Sequence, residues 1–128
     1  MAKINSIEGI GPSFQAKLES AGVTTVEGLL GMGGSDSARA TLAEVTGIPQ
    51  KRIDTWVSMA DLFRVKGVGS QFAELLVRSG VRSVAALAGA EATELRATVS
   101  ATNAEKKMVK VIPSVDSLNK FIASAGAL

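Results

Sequence analysis

Apolar residues recur along this chain at helical spacing, and no stretch alternates as a strand would. The clearest stripe is Ile53, Trp56, Val57, Ala60 and Phe63, which predicts a long amphipathic helix. Pro49 opens it, and the pattern carries it to about residue 66 as the longest helix of the chain. Upstream, Pro12 suits the first position of a helix running to about Ala21, with Phe14 and Leu18 on its inner face and Gly22 at its end. Thr24 or Thr25 caps a short helix bearing Val26, Leu29 and Leu30. The glycines from Gly31 to Gly34 predict a loose loop, after which Ser35 or Asp36 caps a helix ending near Gly47. In the second half, helices are predicted from Ser70 to Ser79, from Ser83 through Leu87, and over Leu95 and Val99. Asn103 then caps a basic helix with Lys106, Lys107 and Lys110, Pro113 breaks the chain, and Ser114 caps the last helix.

These elements repeat. Ile7-Glu8-Gly9-Ile10-Gly11 recurs 58 residues later as Val65-Lys66-Gly67-Val68-Gly69. Downstream in the same register, Phe14, Leu18, Gly22, Val23, Val26 and Leu29 match Phe72, Leu76, Gly80, Val81, Val84 and Leu87. With the paired glycines this makes eight identities over 21 positions without a gap. The closing helices also correspond: Ile53, Trp56, Val57 and Ala60 against Leu118, Phe121, Ile122 and Ala125, now at an offset of 65. The chain therefore reads as two copies of one unit, residues 1–61 and 62–128, joined by the helix over about 49–66. Neither copy carries much core alone, so a single all-α, pseudo-symmetric compact domain with a shared core is expected. Trp56 and Phe121 are expected in that core.

Composition narrows the chemistry. The chain has 128 residues, 46% of them hydrophobic, which supports a folded core. It has no cysteine and no histidine, which excludes disulfides, Cys/His zinc sites, thiol nucleophiles and histidine-based triads. Scarce aromatics disfavour stacking platforms for bases. The twelve acidic residues are scattered, without the carboxylate cluster that metal-dependent hydrolysis needs, so no catalytic residue, metal or cofactor is expected. Neither a secretory leader nor a membrane span is expected, and a cytoplasmic protein fits the absence of cysteine. The net charge of +2 divides unevenly: five basic and seven acidic residues in 1–61, nine and five in 62–128. The second half is the side suited to an anionic partner.

An apolar-Gly-apolar-Gly turn reverses the chain in few residues, plugs its apolar residues into the core and brings a helix N-terminus to the surface. The amides and dipole there suit a phosphate oxygen, without reading any base. Ile7–Gly22 and Val65–Gly80 resemble the helix-hairpin-helix family of DNA-binding elements. Ala60–Gly69, with Asn103-Ala104-Glu105-Lys106-Lys107 and Ile112-Pro113-Ser114, resembles more narrowly an uncharacterised bacterial family of stand-alone duplicated helix-hairpin-helix proteins, some labelled flap-endonuclease-like for that element.

The resemblance implies sequence-independent, non-enzymatic DNA binding through phosphates. Carried onto this chain, the contacts fall on Gly67, Gly69, Ser70 and Gln71, flanked by Arg64 and Lys66, with Arg78 and Arg82 on the same side. In the first hairpin the matching positions are Gly9, Gly11 and Ser13, but Glu8 stands where the second has Lys66, and Pro12 removes an amide. Hairpin 2 is therefore the expected site. The alternative is a protein-interaction or scaffold module on the same fold, with a protein partner or a second copy of the chain. An adaptor lending DNA affinity to a separate enzyme is a third reading.

Overall fold

The computed structural model describes residues 2–128, and its contacts divide the chain into two units, Met1–Ala60 and Asp61–Leu128. Regular structure among the described residues is helical, apart from an isolated antiparallel bridge between Lys3 and Thr25.

The first unit opens with a 3-10 turn at Ile4–Ser6, then α1 (Pro12–Ser20), α2 (Val26–Met32), α3 (Asp36–Thr46) and most of α4 (Gln50–Leu62). Ile4, Ile7 and Ile10 are all buried, at a spacing of three set by i→i−3 bonds from Ile7 N to Ile4 O and from Ile10 N to Ile7 O. Leu18, Val23, Val26, Leu29, Leu42, Ile48, Ile53 and Trp56 are buried as well. Thr25 and Ser35 each accept the amide three residues on, so each caps its helix as the sequence predicts. The expected loop is present but shorter, at residues 33–35, and it is packed rather than loose. α2 runs through Met32, and Gly33 is buried where a Cβ would lie 2.5 Å from Val57 Cγ2. Its carbonyl accepts from Arg39 at 2.8 Å, and Arg39 also binds Asp54 at 2.8 Å. Glycine here permits close packing against α4.

The second unit contains α5 (Ser70–Arg78), α6 (Val84–Ala88), α7 (Ala92–Lys106) and α8 (Val115–Gly126). Ser83 and Ser114 cap α6 and α8, as read from the sequence. Three expectations are corrected. α4 ends at Leu62 rather than near 66, because Arg64 N and Val65 N turn back to Asp61 O and Leu62 O in tight i→i−3 bonds. α7, with 15 residues, is longer than the 13 of α4. No basic helix starts at Asn103, which lies inside α7. Its amide instead clamps the chain beyond the helix, donating to Val109 O and accepting from Val109 N, both at 3.0 Å. Lys107 ends α7 at φ 53°. An asparagine that would serve as an N-cap acts here as a partner for extended backbone.

Each unit contains the same hairpin. Gly9 sits at φ 94° and Gly67 at φ 92°, a region that L side chains rarely adopt. Gly11 and Gly69, at φ −86° and −91°, are extended. The hydrogen bonds correspond at the 58-residue offset: Ile10 N to Ile7 O with Val68 N to Val65 O, Gln15 N to Gly11 O with Ala73 N to Gly69 O, and Val23 N to Leu18 O with Val81 N to Leu76 O. The closing helices correspond too. Phe14 meets Trp56 at 5.2 Å between ring centroids, and Phe72 meets Phe121 at 5.4 Å. Trp56 is buried and Phe121 half-buried.

Two predictions follow from this architecture. In Gly67→Ala the new methyl meets a positive φ and lies 2.9 Å from Phe121 Cε1, whereas in Gly69→Ala it meets open space. Urea unfolding should show Gly67→Ala losing about 1–3 kcal/mol and Gly69→Ala less than about 1 kcal/mol. Equal losses would refute the turn geometry. The second concerns Glu91, which caps α7 by accepting the Glu94 amide at 2.7 Å. That bond holds its carboxyl below the usual carboxylate range. The cap is therefore intact above the ordinary carboxylate pKa and is lost as pH falls through the lowered one. Wild type should lose more thermal stability than Glu91→Gln between pH 6 and pH 3, as read by circular dichroism.

Candidate nucleic-acid interface

Hairpin 2 begins where α4 ends. Val65 and Val68 are buried, and the intervening Lys66 and Gly67 are exposed. The turn thus presents its polar side outward because its apolar residues are its anchors. Gly69 follows, exposed, as the N-cap of α5.

That cap is unusual within the molecule. Thr25, Ser35, Ser83, Glu91 and Ser114 cap their helices with a side-chain oxygen on a backbone amide. Gly11 and Gly69, which follow the two hairpins, supply no side-chain acceptor. The first amides of an α-helix lie beyond reach of an intrahelical carbonyl, and in α5 the ladder begins with Ala73 N on Gly69 O. Neither glycine is required by its conformation, and a Cβ at either would touch nothing within 4 Å. The fold requires Gly9 and Gly67 but not Gly11 and Gly69. What the latter pair provides is a helix start that its N-cap residue does not cover with a side-chain oxygen.

The structure brings some of the expected cations to this surface and leaves others apart. Lys66 is exposed beside Gly67. Arg64 is 47% exposed and already binds Asp61 at 2.9 Å. Ser70 and Gln71 form the first turn of α5. Arg78 is the last residue of that nine-residue helix, which places it about 12 Å from its start. Arg82 is exposed on the segment before α6, two residues from Val84. In the first unit, Glu8, Gly9, Gly11, Pro12 and Ser13 are all exposed, with Pro12 at the first helical position.

Sequence reasoning missed the role of Asp61. Its Oδ1 holds Arg64, and its Oδ2 accepts the amide of Val84, the first residue of α6, at 2.8 Å. In the first unit the equivalent amide, Val26 N, is bound at 3.0 Å by the backbone carbonyl of Ala2, where the chain is extended beside Thr25. In the second unit the corresponding chain is the end of helix α4, and a carboxylate does there what the carbonyl does in the first. The repeat alignment carries no sign of this, because a side chain does in one copy what backbone does in the other. Lys17 and Arg52, both stacked on Phe14, were missed as well.

Among the described residues, no group of three Asp or Glu side chains is placed to hold a metal ion, and no helix is long and apolar enough to cross a membrane. An apolar groove of about 320 Å³ lies in the first unit, lined by Ala21, Ala38, Leu42 and the exposed Met32 and Val45.

The molecule is thus an all-α protein in which each unit opens on a glycine hairpin and closes on an amphipathic helix whose aromatic ring packs beneath it. The chain belongs to the family described as Domain of unknown function (DUF4332), whose family model matches residues 8–128. No curated protein and no solved structure matches it.

The Asp61 link is directly measurable. Asp61→Ala leaves the Val84 amide without its acceptor and should cost about 1–3 kcal/mol in urea unfolding, whereas Asp61→Asn, which keeps an acceptor oxygen, should cost less. A neutral Asp61→Ala would show that water serves Val84 equally well.

Proposed function

We propose that this chain is a tandem helix-hairpin-helix protein that binds DNA without sequence preference, through backbone phosphates, and carries out no catalysis. The contact is made chiefly at hairpin 2, by the amides of the α5 N-terminus with Lys66 beside them and Arg64 and Arg82 around them. The observation that carries this reading is Gly69. Its backbone is one any residue adopts, and the space around its Cβ is open. Folding therefore gives no reason for glycine, but a phosphate approaching the amides does. A serine or aspartate there would occupy those amides with its own oxygen. The excess of basic residues in 62–128 supports the same face. Arg64, held by Asp61, contributes less than Lys66, and Arg78 lies too far along α5 to share a phosphate with the turn.

A second reading, a protein-interaction module, is favoured by the groove beside Met32 and Val45, which are 43% and 68% exposed. Its occupant would be an apolar segment of another protein or a second copy of this chain.

The decisive experiment separates stability from binding. Gly69→Ser should leave the thermal midpoint within about 3 °C of wild type, since serine caps at least as well as glycine. It should weaken binding to a short duplex at low salt by about 5- to 10-fold, and Gly69→Asp or Lys66→Glu by about tenfold or more. The wild-type salt slope on duplex DNA should be about −3 to −4, as for three to five phosphate contacts. Absence of wild-type binding in anisotropy at low salt would refute this function and leave the interaction module. Full binding by Gly69→Ser would refute the assigned site.

A further inference from the structure

The first unit carries two cations that the hairpin does not use. Arg52 on α4 and Lys17 on α1 both stand over the ring of Phe14, with the guanidinium carbon 5.2 Å and the ammonium nitrogen 5.9 Å from its centroid. Trp56 meets the same ring edge-on at 5.2 Å. The spacing on each helix makes this arrangement: Arg52 lies four residues before Trp56, and Lys17 three after Phe14. Both cations are exposed, and neither has a carboxylate within ion-pair distance among the described residues. Arg39, by contrast, is fully engaged with Asp54 and the Gly33 carbonyl.

The scaffold does not call for this pair. The equivalent positions in the second unit are Leu75 and Ser117, which carry no charge, yet Phe72 packs on Phe121 there as Phe14 packs on Trp56. One cation over an exposed ring contributes about 0.5–1 kcal/mol, and a second of like charge repels the first. Two exposed cations thus stand over one ring, neither with a carboxylate partner among the described residues, in the half of the chain whose acidic residues outnumber its basic ones.

We propose that Arg52 and Lys17 form an anion site for a phosphodiester group of a nucleic-acid strand, distinct from both hairpin turns. This rests on the reading of the protein as a nucleic-acid binder. A guanidinium held over a ring keeps N–H donors that the ring does not engage, and these suit the oxygens of a phosphate. The ring also limits the rotamers of both side chains, lowering the ordering cost of the contact. Lys17 adds a second positive charge at the same ring. The first unit therefore contacts the strand through side chains of α1 and α4, while Glu8 and Pro12 keep its hairpin from doing so.

The test uses the full chain and a fluorescein-labelled duplex of about 16 base pairs, with anisotropy across a salt series. Arg52→Gln with Lys17→Gln should weaken binding about 5- to 10-fold and reduce the salt slope by about 1 to 2. Arg52→Lys, which keeps the charge but loses the guanidinium, should weaken it about 3-fold. The control, Lys3→Gln with Lys51→Gln, removes the same charge elsewhere in the unit and should have a clearly smaller effect. Trp56, the sole tryptophan, should change its emission on duplex addition, and the Arg52/Lys17 variant should abolish that change. Equal losses in the control and the Arg52/Lys17 variant, or full binding by that variant, would overturn the site. If Lys66→Glu weakens binding and Arg52→Gln with Lys17→Gln does not, this inference falls and the hairpin reading stands. If wild type binds no duplex, both fall.

Discussion

The architecture depends on one constraint: a chain reversal with no room for a side chain. At Gly67 the backbone adopts φ 92°, and the place where a Cβ would stand is taken by the ring of Phe121. At Gly9 the corresponding place faces Trp56 Nε1 at 3.5 Å. The turn and the closing helix of each unit are thus coupled. The helix supplies a ring as a floor, and the glycine lets the turn rest on it. Once the turn is seated, Val65 and Val68, or Ile7 and Ile10, are driven inward, and the following helix emerges with its N-terminus at the surface. The helix start at the surface is a consequence of that packing.

The two copies meet equivalent needs by different means. The first amide of α2 is held by the carbonyl of Ala2 and that of α6 by the carboxylate of Asp61. The difference arises because the chain enters one hairpin extended and the other from a helix. The replacement has an electrostatic consequence. Asp61 brings a negative charge to the base of hairpin 2 and pairs with Arg64, so Lys66 becomes the principal open cation of that turn. Glu8 occupies the matching position in hairpin 1, while the cations of that unit stand over Phe14 instead. The two hairpins share a backbone path and differ in the charged side chains around it.

Much of this was legible in the chain because helix signals are local. Thr25, Ser35, Ser83 and Ser114 could be read as caps since each needs only the amide three residues ahead. The hairpins were legible because glycine, apolar and glycine positions at fixed spacing describe a backbone path. What failed to show depended on distant partners. The burial of Gly33 within its loop did not show because Val57, which it packs against, lies 24 residues on. Asn103 looked like an N-cap because its bonds to Val109 are visible only once α7 has ended. The distance of Arg78 from the turn is set by the rise of α5, which the repeat does not express. Lys17 and Arg52 meet only through Phe14, from helices far apart in sequence.

The modest charge of the chain makes the bare helix terminus more important. With a net charge of +2, the molecule has little long-range field to draw a polyanion, and at physiological salt exposed charges are screened beyond about 8 Å. Affinity must then come from contacts made at van der Waals distance. A backbone amide can make such a contact only if nothing stands before it, and on the proposed reading this accounts for glycine at Gly69, where the fold itself would accept serine. On the same reading the guanidinium of Arg52, 5.2 Å from the centroid of Phe14, meets the requirement by another route. A weakly charged protein that holds a phosphate backbone therefore needs pre-oriented donors more than it needs additional lysines. On the proposed reading the start of α5 and the guanidinium of Arg52 are therefore worth more than the exposed Lys106, Lys107 and Lys110.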